Sequence, residues 1–573
     1  MTTNAEPNLD LTTSQRHLLW CIVCMAAALG LWLRLEWPDR KSHWEDECWT
    51  IQRTDDPSLI RVIEKLRNSP FPPLHYVMVW CFRQITGDSS VSTVRLVSIV
   101  MGVSAIPLTY LVWRRLLSPT ATLWATAFVA LNSFHILYSR DAKMYASVWL
   151  LAMISCGSYL VCSRPGARSR DYLSLGAANG LLILTSYVGL VALMIEALHG
   201  LGVWLRVPTR RRALLQSLLA VLIGLIPFML WLPFAFQAVT QQTGVKWIRP
   251  VVAGDVLFDL LRLIGLWITG IWMAKLQVYS SWGAVLFLMI PFTALMTPAA
   301  VVAFLVESIR SGAALRPASE LQDDAKMRPP RCENAEVVLF LVMWLVLPLA
   351  GVIAFSFLVY PIWGVPRYLM AVAPAVVLLL SVCVASLRPR VLGIALGLLV
   401  LGVNLTAQSF DLQEKTRVPW NQVSDVIAQA AILDPGLASS VAEHQRVAVA
   451  FMGLEDLYFD HMSLKYALEL RSENWQSDVY PLYELPKPFP RTALVVVIQC
   501  PNRPGELSRE AMGWFLKNYG FLKVYEIQTY EEQWSRLPTP FERYTTEVWV
   551  CRPSAENAVD PVKPAIHAEE SEP

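Results

Sequence analysis

Residues 17–33 read HLLWCIVCMAAALGLWL, and this apolar, nearly uncharged stretch decides the fold class. A helix of this length, rising about 1.5 Å per residue, crosses most of a hydrocarbon core of about 30 Å. Apolar residues continue past the three alanines at 26–28, where a signal peptide would be cleaved. We therefore predict a retained first membrane span that also targets the chain.

The composition of the whole chain is that of a membrane protein, with 54% hydrophobic and only 16% charged residues. Apolar runs recur at 17–36, 72–87, 93–113, 118–134, 144–162, 172–205, 213–236, 254–273, 281–305, 336–359, 367–387 and 391–408. The run at 172–205 is long enough for two spans. The pattern predicts a polytopic α-helical membrane protein with about 11–13 transmembrane helices over residues 17–408.

The remaining segments divide the chain further. Residues 1–16 are predicted to be a cytoplasmic N-terminus, and residues 409–555 a soluble α/β domain with strands at 493–499 and 546–551. Residues 556–573, rich in Glu, Pro and Ala, are predicted to be a disordered tail. Cys500 and Cys551 each end a predicted strand, which makes a disulfide between them an expectation to test.

Basic loops predict the orientation, because Lys and Arg concentrate on the cytoplasmic side. Arginines occur at 114–115, 164–170, 206–212 and 388–390. This places loop 37–71 and the C-terminal domain outside the cytoplasm and the chain in the inner (plasma) membrane. The runs at 72–87 and 254–273 carry charges, and the charge rule is obeyed only if neither of them crosses, which gives about 11 spans.

The first outer loop contains an acidic cluster, His43-Trp-Glu-Asp-Glu-Cys-Trp49. A charge run is usually a solvated surface, but these carboxylates lie between tryptophans at a membrane boundary. Ile60, Ile63 and Leu66 follow at helical spacing, which predicts a short amphipathic helix on the membrane surface. The loop therefore predicts a polar site that this helix would flank.

Three further motifs lie at predicted outer helix ends. A proline-rich entry brings His75 and Tyr76 to the surface. The second motif runs from Tyr138 to Tyr145, and the third from Tyr360 to Tyr368. Their charges could be plain interfacial anchors, or they could bind phosphate, since Arg and Lys donate to phosphate and a helix N-terminus favours an anion.

The order of these motifs resembles integral membrane glycosyltransferases of the GT-C fold. The similarity is closest to bacterial relatives of the protein O-mannosyltransferases and lipid A aminoarabinose transferases, and it covers about residues 15–410. It rests on the first-loop acidic pair, the Pro-Pro-Leu entry, the Ser-Arg-Asp-Ala-Lys-Met-Tyr helix start and the late Pro-Arg-Tyr helix start. The chain departs from the family at His75, where the family has an aromatic residue.

The resemblance implies transfer of a sugar from a polyprenyl-phosphate donor to an extracytoplasmic protein, lipid or glycan acceptor, with inversion at the anomeric carbon. The acidic pair of the family corresponds to Asp46 and Glu47, which we expect to act as the general base and its partner. We expect donor-phosphate binding by Arg140, Lys143 and Arg367. Substrate contacts are expected from His75, Tyr76, Asp141, Tyr145 and Tyr368.

A cofactor is less well defined by the sequence. Some relatives use a divalent cation, for which Asp46, Glu47 and His43 are the candidate ligands, but neighbouring residues in a loop rarely all bind one ion and no HExxH-type spacing is present. The net charge of +2, without a basic tract rich in aromatics, excludes nucleic-acid partners.

Two other functions stay open at this point. A transporter or flippase of lipid-linked substrates would show internal repeats and charges in the middle of its spans. No clear repeat is visible, and the motif charges gather at helix ends. A membrane-anchored binding protein would need far fewer spans than this chain has.

Overall fold

A computed structural model describes the helices and connections within residues 13–36, 45–67, 69, 71–87, 91–240, 251–270, 334–359, 362–363 and 365–413, and the backbone of five strands between residues 448 and 551. The chain divides into two compact units, one containing the helices and the other the strands.

The described part of the helical unit begins with α1 (Thr13–Leu35), α2 (Glu45–Thr54), α3 (Leu59–Leu66), α4 (Leu74–Thr86), α5 (Val91–Trp113), α6 (Pro119–Leu131), α7 (Ser133–Ser139) and α8 (Tyr145–Cys162). It continues with α9 (Ser169–Thr185), α10 (Leu190–Arg206), α11 (Arg211–Gly224), α12 (Ile226–Thr240), α13 (Val256–Thr269), α14 (Asn334–Leu358), α15 (Ala373–Ser386) and α16 (Arg390–Gln413).

Six of these helices are long and apolar enough to cross a membrane, and the number within the described residues rises to 8 if each of two bent pairs is one span. The six lie in α1, α5, α8, α10, α14 and α16; the pairs are α6 with α7, bent by 50°, and α11 with α12, bent by 58°. The chain is therefore a polytopic helical membrane protein, as predicted. The predicted run at 281–305 lies outside the described residues, so the total of 11–13 spans stays a prediction.

Neither of the two charged runs forms a helix long enough to cross. The first is α4, with 13 residues, and the second is α13, with 14. On α4, Arg83 is buried and donates to the carbonyl of Ile51 at 3.1 Å and to Asp55 Oδ1 at 2.8 Å, both next to the end of α2. These lengths support the arrangement in which neither run spans the bilayer.

The core of the helical unit lies around α8 and α15, which are buried along most of their lengths. α8 packs between α5 and α9, while α15 packs against α6, α14 and α16. α9 and α11 approach closely through Gly176, Gly180 and Gly224, where an added Cβ would collide with the backbone of the facing helix. Small residues at such positions let membrane helices pack backbone to backbone.

The two ends of the helical unit carry different charges. At one end, Arg115 after α5 pairs with Asp171 in α9 at 2.6 Å, and Glu336 at the start of α14 pairs with Arg210 at 2.5 Å and with Arg164 at 3.4 Å. These arginines belong to the loops predicted to be cytoplasmic. α5 and α8 begin at the opposite end, which we call the site end because the predicted motifs meet there.

The second unit contains a five-stranded sheet in the order β2-β1-β3-β5-β4. The strands are β1 (Ala448–Gly453), β2 (Asp478–Pro481), β3 (Leu494–Pro501), β4 (Phe521–Glu531) and β5 (Glu542–Cys551). β1 is parallel to β2 and β3, and β5 is antiparallel to β3 and β4. β3 and β5 coincide with the two predicted strands. The chain between strands and the tail 556–573 lie outside the described residues, so the α/β domain and the disordered tail stay predictions.

The predicted disulfide between Cys500 and Cys551 is wrong. The register of β3 against β5 places Cys500 opposite Thr545, six residues along β5 from Cys551. At about 3.3 Å per residue the two Cα atoms are roughly 20 Å apart, whereas a disulfide needs about 4.4–6.8 Å. Both cysteines lie near the C-terminal ends of their strands. Because β3 and β5 are antiparallel, these C-terminal ends lie at opposite ends of the strand pair.

Candidate functional site

The acidic cluster forms the first turn of α2, where the helix dipole favours negative charge. His43 and Trp44 lie outside the described residues. Asp46 and Glu47 are consecutive in the helix, so their side chains point about 100° apart and meet different surroundings. The acidic pair predicted as one functional unit therefore divides into two environments.

Asp46 is the acid that the other motifs approach. Its side chain is 18% exposed, and Tyr145 Oη donates to its Oδ2 at 3.1 Å. Lys143 Nζ lies 4.0 Å from Oδ1, and Arg367 Nε lies 3.9 Å from Oδ2. The structure thus brings together four predicted site residues that are widely separated in the sequence.

Glu47 is completely buried and fully engaged. Arg95, in the first turns of α5, donates to its two carboxylate oxygens at 2.7 and 2.6 Å, and the backbone N–H of Ala142 donates to Oε1 at 2.8 Å. Glu47 therefore joins α2 to α5 and to the segment before α8. Arg95 was not predicted, although a charge at the start of an apolar run was a usable signal. The expected direct contact of Glu47 with acceptor or metal stays a prediction.

Lys143 and Arg53 share one neutral acceptor, the hydroxyl oxygen of Tyr76. Lys143 is completely buried, and each cation donates to Tyr76 Oη at 3.3 Å. The Arg53 guanidinium also lies 5.0 Å from the ring centroid of Trp49, and Lys143 Nζ lies 4.8 Å from that of Phe71. Arg53 was missed, although it follows Asp46 by seven residues, about two helical turns, and so occupies the same side of α2.

Arg140 joins the ends of α1 and α16. It donates to the carbonyl of Leu33 at the end of α1. With the amide oxygen of Gln408 facing it, Arg140 also donates to that residue of α16 at 2.9 and 2.8 Å. Its predicted contact with the donor phosphate stays a prediction.

The remaining predicted residues lie around the same end. Asp141 is buried, and its carbonyl accepts from the Lys143 N–H at 2.7 Å. Arg367 lies in a 3₁₀ turn, Pro366–Leu369, with its guanidinium 5.8 Å from the ring centroid of Tyr368. His75 on α4 is completely buried, and that burial together with the charge of Lys143 lowers its pKa to about 3, so the imidazole is neutral.

The segment that carries Lys143 and Tyr145 is oriented by the break between α6 and α7. The Asn132 side chain accepts from the N–H of His135 at 2.8 Å and caps α7. The N–H of Ser133 donates to Asn404 Oδ1 of α16 at 2.9 Å, and Asn404 Nδ2 donates to the carbonyl of Ile268 of α13 at 2.8 Å. Two asparagines therefore fix the bend that directs the following chain to the site.

Arg34 supports the same bend from α1. It is completely buried and donates to the carbonyls of Val129 and Ala130, at the end of α6, at 3.2 and 3.1 Å. A cation is favourable at a helix C-terminus because the carbonyl dipoles point toward it. Arg34, which lies at the end of the first span, was not predicted to have this role.

A metal site is not formed within the part of the chain that the structure describes. No three His, Cys, Asp or Glu side chains there are arranged to hold an ion. The candidate ligand His43 lies outside the described residues, so a metal bound by His43, Asp46 and Glu47 stays a prediction.

Residues 71–235 match the sequence model of the family described as "Dolichyl-phosphate-mannose-protein mannosyltransferase". The matched range includes the Pro-Pro-Leu entry and the motif at 138–145. No curated protein sequence matches the chain.

One solved structure shares the fold of this chain, and two others give TM-scores below 0.5. ArnT from Cupriavidus metallidurans in the apo state is 12% identical, covers 93% of this chain and 98% of its own length, and gives a TM-score of 0.52. The same protein bound to undecaprenyl phosphate gives a TM-score of 0.49 at 12% identity, with 94% and 98% coverage. The protein O-mannosyltransferase Pmt1-Pmt2 complex of S. cerevisiae gives 0.31 at 18% identity, covering 43% of this chain and 36% of the other. The family match and the fold shared with apo ArnT confirm the predicted resemblance of this chain to GT-C membrane glycosyltransferases.

Proposed function

We propose that this protein is a membrane glycosyltransferase that moves a sugar from a polyprenyl-phosphate donor to an extracytoplasmic acceptor with inversion, using Asp46 as general base. The observation that carries the proposal is the convergence of Tyr145, Lys143 and Arg367 on the Asp46 carboxylate. A carboxylate next to cations is what transfer from a phosphate leaving group to a hydroxyl requires. The name of the matching family, which specifies a dolichyl-phosphate sugar donor, supports the donor class.

The phosphate would lie near Lys143, Arg367 and Arg53. Tyr76 Oη accepts from two of these cations, and a phenol oxygen accepts no more than two hydrogen bonds. Its own O–H is then a third donor at the same place. The Lys143 ammonium, the Arg53 guanidinium and the Tyr76 O–H are thus three donors close together. They favour an anionic ligand, and partial dehydration of the site strengthens the attraction. Arg140 would contribute from its place between α1 and α16.

Asp46 would accept the proton of the attacking hydroxyl. A positioned base contributes about 10²–10⁴ to the rate. The phosphate leaves from the face of the anomeric carbon opposite to the attacking oxygen, which inverts the configuration. Glu47 would keep α2 in place beside it. His75, Asp141, Tyr145 and Tyr368 would contact the sugar or the acceptor.

The site would face away from the cytoplasm. The paired arginines Arg115, Arg164 and Arg210 gather at the other end of the helical unit. Because basic residues stay in the cytoplasm, the site end and the C-terminal domain are expected on the outer side of the inner (plasma) membrane.

The test is sugar transfer by purified protein with a panel of radiolabelled polyprenyl-phosphate sugars and cell-extract acceptors. We expect turnover with one donor, reduced by at least about 10²-fold in Asp46→Asn at matched folding. The exposed Glu64→Gln of α3 is the control and should keep full activity. No turnover with any donor in the wild type would overturn the proposal.

One observation favours a transporter or flippase instead. Glu196 of α10 is buried in the middle of a predicted span, and such acids often mark transport pathways. Reconstituted protein would then move a fluorescent lipid-linked sugar between leaflets without transferring the sugar. Flipping by the wild type and by Asp46→Asn, with no transfer, would favour this second function.

A further inference from the structure

We propose that Glu196 is a proton-binding site inside the membrane, occupied at neutral pH, where the neutral acid joins α8, α9 and α10. This inference is independent of the proposed glycosyl transfer. Glu196 is the seventh residue of α10, and its two partners are Ser155 in α8 and Asn179 in α9, both completely buried. The cluster therefore links three consecutive helices at the depth where polar groups are least well solvated.

The Ser155 hydroxyl makes two short contacts to oxygen atoms but has only one hydrogen to donate. Ser155 Oγ lies 2.5 Å from Glu196 Oε1 and 2.9 Å from Asn179 Oδ1. A hydroxyl has a single hydrogen, so it cannot donate along both contacts. If Glu196 is ionised, both neighbours of the hydroxyl are acceptors and one of these short oxygen–oxygen contacts has no hydrogen. If Glu196 is protonated, it donates to Ser155, and Ser155 donates to Asn179.

Turning the Asn179 amide over does not remove the need for a proton. In the present orientation Asn179 Nδ2 donates to Glu196 Oε2 at 3.1 Å and to the carbonyl of Leu175 at 3.2 Å. In the turned orientation the amide oxygen of Asn179 would face Glu196 Oε2 and the carbonyl oxygen of Leu175. A hydrogen would then be required on Glu196 Oε2, so either orientation calls for the protonated acid.

The charges around Glu196 do not replace the proton. Among the described residues Glu196 forms no salt bridge. The titratable groups of α8 that interact with it are Cys156, Tyr159 and Cys162, and Glu336 of α14 lies further along the same interior. His199, one turn along α10, contacts Tyr159 Oη at 2.9 Å, and Arg210 and Arg164 already pair with Glu336. An ionised Glu196 would therefore be a buried charge without a cation, which costs far more than a neutral acid.

The test is infrared spectroscopy of the purified protein in lipid. A protonated carboxylic acid gives a carbonyl stretch above the amide I band. We expect such a band at pH 7 that is lost in Glu196→Gln and kept in the exposed Glu64→Gln. Since glutamine supplies a donor and an acceptor of the same shape, Glu196→Gln should keep the thermal midpoint of the wild type, whereas Glu196→Ala should lower it by several degrees.

A second measurement does not depend on the folding of a variant. In the wild type labelled with ¹³C-carboxyl glutamate, the band at pH 7 should shift to lower wavenumber. Raising the pH in steps should remove it, and the thermal midpoint should fall over the same range. Absence of an isotope-sensitive band at pH 7, or a band that Glu196→Gln leaves unchanged, would show an ionised Glu196 and overturn the proposal.

Discussion

The two ends of the helical unit hold their charges in different ways. At the basic end, Arg210 lies 2.5 Å from Glu336 and Arg115 lies 2.6 Å from Asp171. At the site end, Lys143 and Arg367 stand 4.0 and 3.9 Å from Asp46. Close pairs satisfy each other and stabilise the fold, whereas Lys143 and Arg367 place positive charge near Asp46 just beyond hydrogen-bond distance. The separation distinguishes the two ends only together with the burial of the cation, since Arg170 at the basic end also lies 4.0 Å from Asp171 but has a side chain that is 65% exposed.

The site end also contains close pairs, and breaking the completely buried one, Glu47 with Arg95, should have the largest effect. Arg95→Met leaves a completely buried carboxylate without its cation, which should lower the free energy of unfolding by about 3–5 kcal/mol. Unfolding in mixed micelles would measure the loss. The double variant Glu47→Gln with Arg95→Met should recover part of the stability, because no charge is then left unpaired. An Arg95→Met protein as stable as the wild type would contradict the comparison.

The second prediction concerns Lys143, a buried cation that we propose binds the donor phosphate. Lys143→Met keeps the apolar stem beside Phe71 and Tyr76 but removes the charge. We expect kcat/KM to fall by about 10²–10³-fold, the usual loss when one stabilising donor is removed from a site. The matched control is Lys65→Met on α3, where the exposed lysine pairs with Asp56 at 3.4 Å, and its activity should be unchanged. A large loss of stability with little loss of activity in Lys143→Met would assign Lys143 to the structural class.

Glu336 tests the basic end. Glu336→Gln removes a carboxylate that is about one quarter exposed and paired with two arginines. Partial exposure screens these pairs, so we expect a loss of about 1 kcal/mol in stability and no change in kcat. Thermal unfolding and transfer assays on the same preparation would measure both. A fall in kcat with unchanged stability would show that the basic end also serves the reaction.

Asp171 gives the smallest effect, visible through pH. Burial alone would raise the pKa of its carboxyl, but the hydrogen bonds from Arg115 and from the Arg168 backbone lower it below the ordinary value. A lowered pKa contributes stability above the unfolded-state value of about 4, and the contribution is lost as the pH falls through the folded value. The difference in thermal midpoint between the wild type and Asp171→Asn should be constant from neutral pH down to about pH 5 and shrink below about pH 4. A difference that grows in acid would contradict this assignment.

Much of the helical unit followed from the sequence because span length and charge position are strong local signals. Arg83 and the charges near Asp259 indicated that residues 72–87 and 254–273 do not cross the membrane, and both runs form short helices. The amphipathic helix was also predicted, although Ile60 is 72% exposed and Val62 is buried in its place. Helical spacing gave the period correctly, but packing against α4 selected the buried side.

The site was predicted in part. Asp46, Lys143, Tyr145 and Arg367 belong to motifs with several polar residues, and the structure brings them together. Arg95 and Glu196 are single charges in apolar runs and Arg53 lies in a polar stretch, and the roles of all three depend on partners outside their own segments. The signals available for Arg95 and Arg53 mark a charged position but do not identify the partner. The disulfide failed for the same reason, because strand register is a long-range property.

The hydrogen bond between Ser133 and Asn404 has a consequence for how the protein is made. The two residues are 271 positions apart, so at about 5–20 residues per second the ribosome needs roughly 15–55 s between them. During that interval the bend between α6 and α7 is already in the membrane but lacks its cap from α16. The bend between α6 and α7 is therefore completed late in synthesis, and a nascent chain arrested before α16 should be cleaved near Ser133 by a probe protease that leaves the finished protein intact.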